Sequence, residues 1–313
     1  MPVSGVDEST PIVATTSQGR VAWTESGSSE GATENAKESV PLVLIHGFTG
    51  HRDDFIGVLP ELARIAGARR VLAPDLRGHG DSDDTSGALG WSIEQLVRDL
   101  IAFLDHLGLE RVDLLGHSMG GFVVLRFALA HPERVRSLVF LCTGPETPAA
   151  LPKTAFLKAT EIADARGIDG LQEVLEKVGR TDMSATLAGW GERYWRHHRR
   201  RFGAMTPASY RGLGTAFFEA ESLVARLPEI ERPTLALVGE FDADWLAGAG
   251  LFEQALPSVR RRTLADAEHH PHIENTPAFL SAVEAHLDAV GKLAAPEPDD
   301  PTQTETERER KTR

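Results

Sequence analysis

A serine set between glycines is the feature of this chain with the most chemical content. The pentapeptide Gly116-His117-Ser118-Met119-Gly120 directly follows the apolar run Val112-Asp113-Leu114-Leu115 and precedes an apolar stretch at 122–130. This order predicts a short strand that turns sharply into a buried helix, a nucleophile elbow that holds the serine hydroxyl above the sheet. Glycine is needed on both sides because a Cβ there would collide with the neighbouring strand or helix. Ser118 is therefore the candidate nucleophile.

Further motifs extend this pattern along the chain. His46-Gly47-Phe48-Thr49-Gly50 follows an apolar run at 41–45, and Leu76-Arg77-Gly78-His79-Gly80 lies within the stretch 70–82. Nearer the C-terminus stand Gly239-Glu240-Phe241-Asp242 and His269-His270-Pro271-His272-Ile273-Glu274-Asn275. In this order, and together with the serine motif, they resemble the motifs of the α/β-hydrolase family over almost the whole chain. The resemblance implies a mostly parallel, twisted sheet flanked by helices, with a helical cap inserted after the sixth strand.

Roles for the site residues follow from that resemblance. It implies that Ser118 is the nucleophile, that His269 is the base that later returns the proton, and that Asp242 orients the histidine. The order Ser, Asp, His along the chain is the one that this fold uses. The backbone N–H groups of Phe48 and Met119 would form the oxyanion hole, because one follows the His-Gly pair and the other follows the nucleophile. Neither a cofactor nor a metal is expected.

Neighbouring histidines compete for the role of the base. His270 and His272 lie close to His269, and Glu268 stands where the family usually has glycine. We prefer His269 because Glu274 follows it by five positions, as in the family's pattern. A metal site made of the three histidines is disfavoured, since the sequence lacks a matching partner motif.

The acid also has competitors. Asp244 lies two residues after Asp242, and Glu146 follows the predicted sixth strand at a position that some relatives use. Of the remaining histidines, His46 and His79 recur in loops of the family, where we expect their rings to satisfy backbone groups rather than to titrate.

A purely helical pattern at 144–231 interrupts the alternation of strands and helices. Helices are predicted at 156–165, 171–178, 191–202 and 207–227, the last with Thr206 as its N-cap. In the family such an insertion sits over the active site, so we interpret it as a cap. Trp190, Trp195 and Arg196 are candidates for substrate binding. The basic run 193–201 is either a solvated helix face or an attraction for an anionic substrate.

The other segments complete the predicted organisation. Two strands at 12–16 and 20–24 form a hairpin, Ser92 and Gln95 form a capping box, and a last helix covers 277–290. The hydrolase core then comprises 9–143 and 232–292, on either side of the cap at 144–231. The tail 293–313 is expected to be disordered because it is rich in Pro, Glu, Thr and Arg and, from 296 onward, lacks apolar residues.

Composition limits the partners. The formal net charge of −13 argues against a nucleic-acid partner, because it repels phosphate backbones. Cys142 is the single cysteine, so an intrachain disulfide is excluded. No stretch resembles a signal peptide or approaches the roughly 20 apolar residues of a membrane span. We therefore expect a cytoplasmic protein without membrane contact, whose partner is a small-molecule acyl substrate; the oligomeric state stays open.

The leading functional interpretation is hydrolysis of a carboxylic ester or lactone through an acyl-enzyme. An alternative is a synthase or lyase similar to the menaquinone-pathway branch of the family, which the motifs at 46–50 and 239–242 resemble. Phe122 replaces the arginine that often follows the elbow in that branch, and the loop 76–80 is closer to esterases, enol-lactone hydrolases and cofactor-free haloperoxidases. Outside the enzymes, a ligand receptor could use the same scaffold, since fold does not fix the reaction.

Overall fold

The structure, a computed structural model, describes residues 10–27, 40–65, 69–180, 188–189 and 191–294. Within these ranges eight strands form one sheet in the order β1-β2-β4-β3-β5-β6-β7-β8. β2 is antiparallel to both β1 and β4, and all other neighbours are parallel. The strands are β1 (Ile12–Thr16), β2 (Gly19–Ser26), β3 (Leu42–Ile45), β4 (Val71–Pro74), β5 (Val112–His117), β6 (Val135–Leu141), β7 (Thr234–Gly239) and β8 (Val259–Leu264). The predicted mostly parallel sheet is confirmed.

Helices cover both faces of the sheet. The α-helices of the described ranges are α1 (Leu59–Ile65), α2 (Ile93–His106), α3 (Met119–Ala130), α4 (Lys153–Gly179), α5 (Glu192–Gly203), α6 (Pro207–Phe218), α7 (Ala243–Ala255), α8 (Pro271–Glu274) and α9 (Thr276–Ala294). Short 3₁₀ helices span Arg52–Phe55, Pro132–Arg134 and Val224–Glu229.

Alternate residues of the central strands supply two separate hydrophobic cores. Leu42 and Leu44 of β3 pack in the core that α1 and α9 complete, whereas Val43 and Ile45 pack in the core with α2 and α3. Successive side chains of a strand point to opposite faces, so a strand covered on both faces must be apolar throughout. The carboxyl-terminal ends of the parallel strands are thereby held in fixed positions along one edge of the sheet.

The predicted hairpin and the predicted N-cap of the helix after Trp91 are both present. The predicted hairpin is formed by β1 and β2, which pair from Ile12 with Trp23 to Thr16 with Gly19. Ser92 caps α2, because its hydroxyl accepts the N–H of Gln95 at 3.0 Å. The reciprocal half of the predicted capping box is wrong, since the Gln95 side chain instead accepts the N–H of Leu89 at 3.0 Å.

The predicted helices between β6 and β7 are present with different bounds. We call α4, α5, α6 and the 3₁₀ helix Val224–Glu229 the helical segment. α4 joins two predicted helices across a kink at Gly167, whose φ of 71° and ψ of 176° are not helical. The hydroxyl of Thr206 accepts the N–H of Ser209 at 3.1 Å, which confirms the predicted N-cap of α6.

α6 ends at Phe218 rather than at residue 227. The hydroxyl of Thr147 donates to the carbonyl oxygen of Phe217 at 2.7 Å and satisfies a group that a longer helix would use. Further on, the N–H of Leu223 donates to the carbonyl oxygen of Pro145 at 3.0 Å. The chain after α6 is therefore bound to the loop that follows β6, a long-range pairing that ends the helix early.

Two further predictions concern a disordered tail and the lack of a membrane span. Most of the predicted tail 293–313 lies outside the described residues. In the ranges that are described, every helix is too short or too polar to cross a bilayer.

Candidate active site

Neighbouring parallel strands bring the three predicted site residues to one edge of the sheet. Ser118 directly follows β5, Asp242 follows β7, and His269 follows β8. The order β5-β6-β7-β8 is parallel throughout, so these loops emerge on the same side. Loops at the carboxyl ends of strands are where open α/β sheets bind their ligands.

Ser118 occupies a strained turn between β5 and α3. Its φ of 53° and ψ of −122° lie in a region that residues other than glycine rarely adopt. Its N–H donates to the carbonyl oxygen of Leu141 at 3.0 Å, and its own carbonyl accepts the Thr143 hydroxyl at 2.8 Å. These bonds to the end of β6 and the loop beyond hold the turn, and Ser118 stays partly exposed.

Two glycines leave the space that this turn needs. A Cβ on Gly120 would lie 2.3 Å from the carbonyl oxygen of Ile45, a backbone atom that cannot yield easily. A Cβ on Gly47 would lie 2.9 Å from the Cβ of Ser118. The loop 46–50 therefore packs directly against the serine turn, as the two sequence motifs predict for a shared site.

His269 and Asp242 form a hydrogen-bonded pair. Nδ1–H of His269 donates to Oδ2 of Asp242 at 2.9 Å. The carboxylate side chain is 6% exposed, whereas the imidazole is 33% exposed. A carboxylate only accepts hydrogen bonds, so the pairing fixes the proton on Nδ1 and leaves Nε2 as the basic nitrogen.

Hydrogen bonds from two other side chains hold the backbone of the loop that carries His269. Oε2 of Glu274 accepts the backbone N–H of Glu268 at 2.6 Å and that of His270 at 3.3 Å. From the serine turn, Nε2 of His117 lies 2.7 Å from the carbonyl oxygen of His269. The glutamate five positions after the histidine thus has a structural explanation, and His117 links the nucleophile motif to the histidine loop.

The competing histidines have other surroundings. Nε2 of His270 lies 3.5 Å from Nη1 of Arg201. His272 is buried against Phe55, and burial lowers the pKa of its ring to about 4. Of these histidines, only His269 has a hydrogen bond to Asp242 among the described residues.

The competing acids do not pair with His269. Glu146 accepts the hydroxyl of Ser222 at 2.6 Å. Asp244 lies in the first turn of α7, where the positive end of the helix dipole stabilises a carboxylate. The geometry therefore favours Asp242 over both alternatives.

The two predicted oxyanion donors border the serine turn. Met119 is the first residue of α3, a position whose N–H has no partner within its own helix. Phe48 follows Gly47, which packs against Ser118. Across the described part of the chain, neither N–H donates to another backbone or side-chain acceptor.

Aromatic residues that the sequence motifs did not single out surround the site. Trp245 of α7 stacks on the ring of His269, with ring centroids 6.2 Å apart and an angle of 21°. The ring of Phe48 packs against two rings of the helical segment, with its centroid 5.1 Å from that of Tyr210 and 6.2 Å from that of Phe156. Phe156 and Tyr210 fall in predicted helices, whereas Trp245 does not, and aromatic type alone does not reveal which partner each of them faces.

The predicted substrate-binding residues that the structure describes, Trp195 and Arg196, both lie on α5. Trp195 is 3% exposed and packs inside the helical segment, with the guanidinium of Arg180 5.1 Å from its ring. Arg196 is exposed on α5, and Trp190 lies outside the described residues. Within the ranges described, neither Trp195 nor Arg196 has a hydrogen bond, ion pair or ring contact with Ser118, Asp242 or His269.

Much of the basic run on α5 is neutralised by carboxylates. Arg199 pairs with Glu176 at 2.8 Å and also with Glu192. The next residue, Arg200, pairs with Asp53 at 2.9 Å, on the 3₁₀ helix just after the loop 46–50. The inner part of the run therefore docks the helical segment onto the core.

His46 and His79 satisfy backbone groups, as predicted. Nε2 of His46 accepts the N–H of Leu76 at 2.9 Å, and Nδ1 of His79 lies 3.1 Å from the carbonyl oxygen of Arg77. Burial lowers the pKa of His46 to about 4 and that of His79 to about 3. Both rings are neutral at pH 7.

Among the residues that the structure describes, two groups of side chains have the spacing of metal ligands. One consists of Cys142, Asp242 and His269, and the other of His51, Asp75 and Asp81. In the second group the guanidinium of Arg52 ion-pairs with both carboxylates and already supplies positive charge. In the first group, burial and the charge of Asp242 raise the pKa of the Cys142 thiol well above its usual range, which disfavours the thiolate that metals bind.

The family follows from a comparison of the whole chain. A model of the alpha/beta hydrolase fold matches residues 40–276. The chain belongs to the α/β-hydrolase fold family. This match spans the serine turn, the helical segment, the acid loop and the histidine loop, and it confirms the resemblance that the sequence motifs indicate.

Relatives with different activities resemble this α/β-hydrolase. It is 29% identical over 266 residues to the "Putative 2-succinyl-6-hydroxy-2,4-cyclohexadiene-1-carboxylate synthase" of Bacillus subtilis (strain 168), covering 83% of this chain and 94% of that protein. It is 28% identical over 261 residues to a pimeloyl-(acyl-carrier protein) methyl ester esterase of Aeromonas hydrophila, covering 81% and 97%. The enol-lactonase from Burkholderia xenovorans LB400 has the same fold, with a TM-score of 0.75 at 23% identity, covering 88% and 100%. The prediction of an enzyme of this class is supported.

Proposed function

We propose that this α/β-hydrolase cleaves a carboxylic ester or lactone through an acyl-enzyme on Ser118. The observation that carries the proposal is the 2.9 Å contact between Nδ1 of His269 and Oδ2 of Asp242, at the same sheet edge as a serine held in a left-handed backbone conformation. A serine hydroxyl is a weak nucleophile until a neighbouring base takes its proton. An oriented, neutral imidazole is the base that this chemistry needs.

The proposed reaction has two halves. Nε2 of His269 takes the proton of the Ser118 hydroxyl while the oxygen attacks the substrate carbonyl carbon. The tetrahedral intermediate then collapses, its carbon–oxygen bond to the alcohol breaks, and the alcohol leaves with the proton from His269. A water molecule, deprotonated by His269, attacks the acyl-enzyme in the same way and releases the acid and free Ser118. In a lactone the alcohol stays attached to the acid.

The other residues of the proposed site stabilise the charges that develop during the reaction. Asp242 stabilises the imidazolium that forms in each half-reaction. The N–H groups of Phe48 and Met119, which have no acceptor in the described part of the chain, would donate to the carbonyl oxygen as it becomes negative, a contribution that in other hydrolases is worth about 10²- to 10³-fold in kcat. Because both donors are backbone groups, the side chains of Phe48 and Met119 remain available to contact the acyl group.

We further propose that the region 144–231 is a cap over this site, inserted between core parts 9–143 and 232–292. Two ring pairs that join the helical segment to the site support this role. Tyr210 packs on Phe48, which follows the Gly47 that lies against Ser118. Phe217 packs on Trp245, which stacks on His269, with the ring centroids of Phe217 and Trp245 6.2 Å apart. Aromatic side chains in these positions favour a small-molecule substrate with an apolar acyl or leaving group and exclude water from it.

A synthase or lyase is the second candidate. The similarity to the Bacillus subtilis relative over 83% of this chain favours it. In that reaction His269 would abstract a proton from a carbon atom of the substrate and assist an elimination, with no acyl-enzyme formed.

Labelling with a fluorophosphonate probe separates these candidates. The site of the label is mapped by mass spectrometry, and turnover is measured on p-nitrophenyl esters of increasing chain length and on small lactones. Label on Ser118 together with turnover that Ser118→Ala removes supports the hydrolase. Label on Ser118 without ester or lactone turnover favours the synthase, and an unlabelled Ser118 contradicts an activated nucleophile.

A further inference from the structure

A buried carboxylate lies directly behind the loop 46–50. Asp54 is 4% exposed, and its Oδ2 accepts the backbone N–H of His51 at 3.1 Å. A Cβ on Gly50 would lie 2.8 Å from this oxygen and equally close to Nδ1 of His46. The carboxylate therefore packs against the backbone at the end of the loop whose Phe48 N–H is a proposed oxyanion donor.

The second oxygen of this carboxylate is bound by the helical segment. Nε2–H of His197 on α5 donates to Oδ1 of Asp54 at 2.7 Å. Nη1 of Arg201, one turn along the same helix, lies 4.0 Å from the same oxygen. Burial alone would raise the pKa of Asp54, but the hydrogen bond from His197 and the positive charges nearby hold it well below its usual range. Asp54 is thus ionised and depends on α5 for its stabilisation.

One carboxylate consequently joins two elements of the proposed site. Its Oδ2 fixes the backbone at Gly50 and His51, and its Oδ1 requires a donor from a helix 143 positions away. Buried carboxylates are costly unless hydrogen bonds satisfy them, so loss of either contact should move the carboxylate. A shift of Asp54 would be transmitted to the loop, because no free space separates it from Gly50.

We propose that Asp54 is a positioning residue for the oxyanion loop 46–50, and that His197 completes this positioning when the helical segment is docked. The inference rests on the proposed function of Ser118 and Phe48. Its consequence is that oxyanion geometry is correct only while α5 lies on the core, so a substrate is activated only beneath a docked cap.

The test compares variants on both sides of the contact. His197→Leu removes the donor, His197→Gln keeps a side-chain donor, and Asp54→Asn removes the charge at constant size. Lys158→Gln, a charge-removing change on the exposed face of α4 in the same helical segment, is the matched control. The readouts are kcat and KM on the best p-nitrophenyl ester, with thermal unfolding of each variant.

The expected result is a loss in kcat. His197→Leu and Asp54→Asn should each lower kcat about tenfold while KM changes less than about twofold, because a displaced oxyanion donor weakens only the transition state. The double variant should be little worse than either single variant, and His197→Gln should recover most of the activity. Lys158→Gln should match the wild type. Since His197 is 30% exposed, its variants should fold even if Asp54→Asn does not.

Other outcomes would overturn the inference. An increase in KM at unchanged kcat means that His197 only docks the helical segment and does not position the loop. Equal losses in His197→Leu and His197→Gln, or additive losses in the double variant, also contradict it. Ser118→Ala in the same assay keeps the two proposals apart: if it retains activity, the proposed function fails, and if it is inactive while the Asp54 and His197 variants are fully active, only this inference fails.

Discussion

Asp242 and His269 meet across 2.9 Å although 27 positions separate them in the chain. Each follows one of two adjacent parallel strands, β7 and β8, so the sheet register sets the separation of their loops. The carboxylate is buried and the imidazole is partly exposed, with its ring centroid 4.8 Å from that of His117, the residue before Ser118. A pair with one buried acceptor and one accessible ring can hold a proton on Nδ1 while Nε2 exchanges protons with a substrate.

The first prediction concerns the choice of acid. Asp242→Asn should lower kcat/KM by about 10³- to 10⁴-fold, because an amide neither stabilises the imidazolium nor enforces the tautomer. Asp244→Asn is the matched control and should change kcat/KM less than about twofold, since Asp244 does not bond to His269. Steady-state kinetics on one p-nitrophenyl ester measure both. The reverse ranking would assign the role of the acid to Asp244.

The second prediction concerns strain at the nucleophile. Ser118→Ala and Ser118→Gly should both be inactive, but they should differ in stability. With a φ of 53°, the turn favours glycine, which adopts positive φ without steric cost. We expect Ser118→Gly to exceed Ser118→Ala in free energy of unfolding by about 1 kcal/mol, the opposite of the usual order of these residues. Urea denaturation measures the difference, and an equal or lower stability of the glycine variant would show that the turn is not strained.

The sheet and the loop order could be predicted because their causes are local. A strand covered on both faces, such as β3, must be apolar, and a serine turn against a neighbouring strand must have glycine where Gly120 approaches Ile45. Parallel connectivity then brings the loops after β5, β7 and β8 together. For this reason the motifs alone located the residues that the structure gathers at one edge.

The surroundings of the site could not be predicted, because they depend on how the helical segment packs. His197 and Asp54 are 143 positions apart, and nothing in the basic run reveals that one face meets acidic residues of the core. The side chain of Trp195 turns toward Arg180, within the helical segment. The orientation of a helix relative to a distant loop is set by side-chain packing, which a periodic pattern does not contain.

The third prediction tests how the histidine loop is supported. A Cβ on Gly239 would lie 2.0 Å from the carbonyl oxygen of Glu268, the residue before His269. Gly239→Ala should therefore displace this loop, lowering kcat at least tenfold and the free energy of unfolding by about 2 kcal/mol. Gly250→Ala, on α7 with open space at its Cβ, is the control and should stabilise the helix by up to about 1 kcal/mol. Kinetics and urea denaturation of both variants decide; a fully active Gly239→Ala would mean that the loop yields without moving His269.

The fourth prediction concerns stability in acid and the buried His286 of α9. Both of its ring nitrogens are buried without a hydrogen-bond partner among the described residues, and burial lowers its pKa to about 4. In the unfolded chain His286 binds a proton as the pH falls through its ordinary pKa of 6.5, whereas in the folded chain the ring stays neutral until about pH 4. The stability that the neutral ring contributes is thus complete above pH 6.5 and is lost as the pH falls toward 4.

Replacing His286 should therefore flatten the pH dependence of stability. Between pH 7.5 and 5, the fall in free energy of unfolding should be smaller by about 2 kcal/mol in both His286→Leu and His286→Gln, since neither can take up the proton. The two variants should differ at pH 7.5, where leucine removes two unpaired polar atoms from the interior and glutamine buries new ones. Urea denaturation at both pH values measures the slopes. A slope equal to that of the wild type in both variants would mean that His286 takes up its proton in the folded protein as readily as in the unfolded chain.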